Sequence, residues 1–212
     1  MRPLFLPDGE PPPAGALAVD CARCDCAALY SHWPGHPAPP AIIADTSTAI
    51  LLRASLDAER WLDPYQVCCN DHVDVDGLLA CCLACRPELS LRHGPLLVGA
   101  AAFGDFDSWP GPEAAALALT LHQRIAAEQA AGNGWQQRCY ELVVDGIEDL
   151  IDQSRESDPE RDSQIEHILR LRHGFMDKPH NHPLTITAQA GWSTISGQWR
   201  LGHRGTGPAT VG

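Results

Sequence analysis

Seven consecutive residues constrain this chain more than any others: Asp71-His72-Val73-Asp74-Val75-Asp76-Gly77. They follow Tyr65-Gln66-Val67-Cys68-Cys69, an apolar run of strand length. They precede Leu78 to Cys85, a stretch apolar all round that reads as a buried helix and stops at Arg86-Pro87. Four ionisable groups therefore crowd a turn between two buried elements, where a merely solvated acidic loop is out of place. An extended backbone would set His72, Asp74 and Asp76 on one face and Val73 and Val75 on the other. Two carboxylates so placed, about 5 Å apart, repel by ~3 kcal/mol at an effective dielectric near ~20. A divalent cation turns that repulsion into attraction, and carboxylate with imidazole suits Mn²⁺, Mg²⁺, Fe²⁺ or Zn²⁺. Gly77 would let the backbone turn tightly into a helix whose N-terminus favours an anion such as phosphate.

A calcium loop of the form D-x-[DN]-x-[DN]-G-x5-E fits poorly. Aligned on Gly77, its first ligand position holds His72 and its closing Glu position holds Leu83.

Around this segment the chain reads as α/β, with a parallel sheet, a helical C-terminal half and a short terminal hairpin. Residues 1–40 form a proline-rich N-terminal segment with room only for short extended pieces, of which Ala16 to Val19 is one. Residues 41–131 form the metal-binding α/β region. In it, Asp45-Thr46-Ser47-Thr48 caps a helix through Ala49 to Leu52, or offers hydroxyls to a phosphate. Leu96 to Phe103 reads as a second strand, ending at Gly104-Asp105-Phe106-Asp107. Asp105 is there a candidate ligand, while Asp107 is structural. Residues 132–200 are helical and end in the hairpin. Leu117, Leu121 and Ile125 mark one helix, Cys139, Val143, Ile147, Leu150 and Ile151 the next, and Asp158-Pro159 opens a third. Leu184 to Ala188 and Ile195 to Trp199 are the hairpin strands, and residues 201–212 a flexible tail.

Composition excludes several functions. Twenty-seven Asp and Glu stand against fifteen Lys and Arg, a net charge of -12, so no cationic face serves duplex nucleic acid or a membrane surface. No stretch is apolar enough to span a membrane, and Pro7 interrupts the N-terminus before a signal peptide could form, so a cytoplasmic protein is expected. A homo-oligomer stays open.

Other residues are weaker candidates. His32 and His36 flank Trp33-Pro34-Gly35, a rigid loop from which His32 would contact substrate. Arg92 and His93 together would hold a phosphate. His180-Asn181-His182, between Pro179 and Pro183, reads as an exposed loop rather than as ligands. Nine cysteines in a reducing compartment are free thiols or ligands. Cys21-x2-Cys24-x-Cys26 and Cys82-x2-Cys85 could share zinc, but residues 27–81 separate them, well beyond the ~15–20 of an ordinary zinc ribbon.

The segment from Val67 to Cys81 resembles motif I of the DHH-type phosphoesterases, an acidic D/H-x-D-x-D-G turn between strand and helix. The resemblance implies a Rossmann-like α/β domain with divalent cations, manganese first and magnesium or zinc next. It implies hydrolysis of a phosphoester or phosphoanhydride, on a small phosphorylated substrate or nucleotide. It carries over His72, Asp74, Asp76 and Asp105 as metal ligands, with Asp71 and His72 in the catalytic set. No Asp-His-His triplet occurs in the chain, and neither His122, His180 nor His182 has the neighbours to replace it. The alternative is therefore a catalytically incomplete DHH-derived module that binds a nucleotide or metal. Overall the chain is also similar to an uncharacterised bacterial family of unknown function. Four segments carry that likeness: Ser31 to Gly35, Ala44 to Thr48, Asn70 to Gly77, and Arg92 to Phe106.

Overall fold

The computed structural model describes residues 1–23, 25–35, 38–57, 59–106, 108–176, 185–186 and 199–200, with side chains up to residue 171. Four short strands build one sheet: β1 (Arg2–Phe5), β2 (Leu17–Val19), β3 (Ala28–Tyr30) and β4 (Val67–Asn70). Their order is β1-β4-β2-β3, and every pairing is parallel. Register places Leu17 beside Cys68 and Ala18 beside Cys69. Residues 1–40 thus supply three of the four strands, so the proline-rich segment belongs to the α/β unit. Pro3 lies within β1, an edge strand, and the other described prolines of this stretch lie outside the strands, where the missing N–H costs no ladder bond.

Six helices stand among the described residues: α1 (Ser47–Leu56), α2 (Val75–Cys85), α3 (Leu89–Phe106), α4 (Pro112–Ala130), α5 (Trp135–Arg155) and α6 (Pro159–Met176). Every residue of α2 from Val75 to Ala84 is buried, as expected for a helix apolar on all sides. It packs against α1, α3, α5 and strands β1, β2 and β4. Cys68 faces it, the Cys81 thiol donating to the Cys68 carbonyl at 3.7 Å. The other face of the sheet carries Ala18, Val67 and Cys69, closed over by Leu6, Ala16 and Cys21. With both faces covered, the strands read as apolar runs rather than alternating ones. Arg23 fastens that cover: its guanidinium donates to the carbonyls of Leu6, Pro7 and Glu10 and to Asp25.

Local signals account for most of the elements. Thr46 caps α1, its hydroxyl accepting from Ala49 N at 3.0 Å. Pro159 opens α6, and Cys139, Val143, Ile147, Leu150 and Ile151 form the buried stripe of α5. The strand expected over Leu96 to Phe103 is instead the second half of α3. A short apolar run fits a buried strand or a buried helix equally, and Ala100-Ala101-Ala102 tips this one to helix.

The fold divides into Met1–Glu166 and His167–Gly212. In the second unit β5 (Thr185–Ile186) pairs antiparallel with β6 (Trp199–Arg200). The other expected hairpin positions, the tail over 201–212, Cys24, His36, Asp107, His180 and His182 lie outside the described residues. No described helix is long and apolar enough to cross a membrane.

Candidate metal centre

Parallel strands deliver their C-terminal ends to one edge of the sheet, the place where open α/β sheets bind ligands. Here that edge is built by Asp20 after β2, His32 after β3 and the Asp71–Asp76 turn after β4. Asp20 is the hub. It is 1 % exposed and takes a left-handed backbone at φ 51°, a conformation Asp tolerates better than most residues but at some strain. One of its oxygens accepts from Ser47 Oγ at 2.8 Å and lies 3.3 Å from His32 Nδ1. The other lies 3.5 Å from His72 Nε2 and has no hydrogen-bond partner.

Two trios of potential ligands share this carboxylate: Asp20, His32 and Asp76, and Asp20, His72 and Asp74. In the first, His32 Nδ1 stands 3.2 Å from Asp76. In the second, His72 Nε2 stands 3.2 Å from Asp74. Asp71 Oδ1 accepts from His72 Nδ1 at 2.9 Å, on the far side of the ring. That is the outer contact that fixes the tautomer of a metal-binding imidazole. Asp105 reaches the first trio from the last turn of α3, 3.7 Å from His32 Nε2. It arrives from a helix end and not from a strand end.

The strand expected to carry His72, Asp74 and Asp76 on one face ends at Asn70. Asp74 is the N-cap of α2, one oxygen accepting from Gly77 N at 2.8 Å. Asp76 is already helical and points the other way. Its two oxygens accept from Ser47 N and Thr48 N, each at 2.7 Å. The first-turn donors of α1 are thereby taken, so the hydroxyl cluster does not offer them to a phosphate. Gly77 sits inside the first turn of α2. Glycine is required there because a Cβ would lie 2.2 Å from Asn70 Nδ2, 3.0 Å from Asp74 Oδ1 and 3.2 Å from Asp20 Oδ2. Asn70 Oδ1 holds the turn, accepting from Asp71 N at 2.7 Å. Its buried amide nitrogen, like Asp20 Oδ2, has no partner. An orphaned donor and an orphaned acceptor thus converge beside Gly77. Tyr140 of α5 secures the turn from behind, its hydroxyl donating to the His72 carbonyl at 2.5 Å.

Electrostatics fit a cation-binding cluster. Hydrogen bonds to Asp20 and Asp76 push His32 up to about 10, against burial. His72 is pulled down by burial, but Asp20, Asp74 and Asp71 carry it up to about 11. Burial raises Asp105 to about 8, helped by the charges of Asp76, Asp74 and Asp20. Burial likewise raises Asp20, opposed by its two imidazoles. Protons on His32 and His72 therefore do, in the metal-free chain, what bound cations would do. With neutral imidazoles, two divalent cations would offset most of the charge of Asp20, Asp71, Asp74, Asp76 and Asp105. Oxygen and imidazole donors of this kind suit Mn²⁺, Mg²⁺ or Zn²⁺.

Some candidates lie elsewhere. His32, expected to contact substrate from a loop, stands inside the centre. Arg92 and His93 lie on α3 and face Glu148 of α5, Arg92 at 2.7 Å and His93 at 3.7 Å. Arg86 joins them at 3.1 Å, so these side chains are engaged in a helix–helix network around Glu148. Cys21 and Cys26 pack in the small sheet-face core, and Cys82 donates to Val143 of α5. Neither ligand trio among the described residues contains a cysteine. Sequence reasoning missed Asp20. Its only signal is position: it ends the apolar run Ala16 to Val19, as Asn70-Asp71 ends the run before it.

A family model of unknown function, DUF6687, matches residues 1–170. The chain belongs to the DUF6687 family. Its match spans the whole sheet and α1 to α5, hence every residue of the two trios. Comparison with curated proteins and with solved structures finds no match.

Proposed function

We propose that this DUF6687 protein is a metal-dependent phosphohydrolase acting on a small phosphoester or phosphoanhydride. Two divalent cations, manganese first among them, would be held by the Asp20–His32–Asp76 and Asp20–His72–Asp74 trios. The observation that carries the reading is Asp20, a buried carboxylate with one oxygen that accepts no hydrogen bond and faces His72 at 3.5 Å, shared by two Asp/His pairs at the carboxyl ends of parallel strands. The resemblance of residues 67–81 to motif I of the DHH-type phosphoesterases supports it. Asp20 would supply the shared carboxylate that a missing Asp-His-His triplet otherwise leaves unfilled.

Bound there, the cations would lower the pKa of a water and take up charge on the phosphoryl oxygens. The chain's own groups hold the donors in place beforehand. Asp71 orients His72, Ser47 and Asp76 orient His32, and Tyr140 pins the His72 backbone. Such preorganisation removes the cost of rearranging ligands at the moment of reaction. Asp105 stands ready as a further donor to the first trio.

The test is hydrolysis of bis(p-nitrophenyl) phosphate and of pyrophosphate by the purified chain with Mn²⁺, Mg²⁺ or Zn²⁺. Activity is expected to need metal and to disappear in Asp20→Asn and Asp74→Ala. Full activity in Asp74→Ala would remove the proposal. Tight nucleotide binding without turnover in all three metals would mark the chain as a binding module instead.

A further inference from the structure

Each imidazole of the centre has an exposed aromatic ring against it. Trp33 lies 5.4 Å from His72, its plane tilted by 42°, and is 37 % exposed. Phe106 stands edge-on to His32 at 5.8 Å and is 51 % exposed. Phe106 also lines a cleft of about 610 Å³ with Ile43, Val98 and Ala102. Exposed aromatic rings set beside a polar cluster offer flat apolar contact area to a ligand held there. The turn that carries Trp33 is also constrained. The Trp33 backbone N–H donates to Ser31 Oγ at 3.2 Å, and Pro34 and Gly35, the latter at φ 84°, follow it. A ring on a constrained backbone, with two side-chain torsions, presents contact area at little entropic cost.

We infer that Trp33 is a specificity-determining residue, its exposed indole face stacking a planar aromatic group attached to the phosphoryl group of the substrate. The inference rests on the phosphohydrolase reading and narrows its substrates to phosphoesters with a flat organic part, a nucleobase or an aryl ring. Its plainer rival is that Trp33 only buttresses His72. Stacking a base on an aromatic side chain is worth roughly 5- to 150-fold in affinity.

Calorimetry on the full-length, manganese-loaded chain separates these accounts, with phenyl phosphate, adenosine 5′-phosphate and ethyl phosphate as probes. The wild type is expected to bind the first two about 10-fold or more tighter than ethyl phosphate. Trp33→Ala should lower both to the ethyl phosphate level, Trp33→Phe should keep most of the preference, and manganese affinity should not change in either. Adenosine ahead of phenyl phosphate would name a nucleobase as the flat group, and the reverse order an aryl ring. Equal binding of all three by the wild type, or a preference that survives Trp33→Ala, overturns the inference. So does a Trp33→Ala variant that loses manganese and all three phosphates together, the result a buttress gives. A wild type that takes up no manganese overturns the hydrolase reading itself.

Discussion

Asp20→Asn separates a metal hub from a structural ion-pair hub, because the two predict opposite changes in metal-free and metal-bound protein. Burial raises the Asp20 carboxyl, so the fold holds its charge at a net cost. Asparagine removes that charge and keeps an oxygen for Ser47 Oγ. The metal-free variant should therefore melt within a few degrees of the wild type, ~1 kcal/mol either way. With metal the outcomes diverge. At a hundredfold excess over Kd each bound cation adds ~2.7 kcal/mol, so two filled sites add about 5 kcal/mol. For a chain of this size that is a rise of roughly 10–20 °C. Asp20 belongs to both trios, so the variant should lose nearly the whole rise and not half of it. Differential scanning calorimetry at pH 7.5, with EDTA and then with MnCl₂, reads both quantities. A variant that retains the wild-type rise refutes the shared-ligand argument. So does a metal-free variant about 3–5 kcal/mol less stable alongside a wild type indifferent to metal, the pattern of a broken buried ion pair.

Other expectations follow from the same geometry. Asp76→Ala strips the acceptors from two buried N–H groups of α1 and should cost about 2–4 kcal/mol in metal-free urea unfolding. Asp74→Ala, which removes the α2 cap and the half-exposed pairing with His72, should cost about 1–2 kcal/mol, and the reverse ranking would contradict these assignments. Gly77→Ala would gain ~1 kcal/mol from helix propensity alone. Its Cβ instead meets Asn70 Nδ2 at 2.2 Å, so the variant should be destabilised and bind manganese more weakly; a more stable variant would falsify that contact. His122 of α4 is held down to about 4 by burial, against the pull of the Asp74 charge. Unfolded, it protonates near ~6.5, so between those values the unfolded chain binds more protons and stability falls as pH falls, by up to about 3 kcal/mol. His122→Asn should flatten that acid limb in pH-dependent melting, and an unchanged limb would show that another group carries it.

Local chemistry was legible in the residues themselves. The acidic turn, the buried helix behind it, the Thr46 cap, the Pro159 start and the stripe of α5 all rest on spacings of a few residues, within which backbone geometry leaves little choice. A parallel sheet was expected from a strand–helix–strand rhythm over residues 65–103, and the sheet is parallel, but the second of those strands is helix α3, and β1 and β3 had no such signal. Periodicity says which face a side chain occupies but never which distant face it meets. Only the packed chain brings Asp20 and His32 to the β4 turn, because parallel neighbours are joined through intervening chain rather than a tight hairpin. Tertiary contact also decided the fate of the individual acids. Asp76 turns to α1 because helix begins at Val75, and Asp105 reaches His32 from a helix because an alanine-rich run surrounded by other helices gains more as a helix than as a strand.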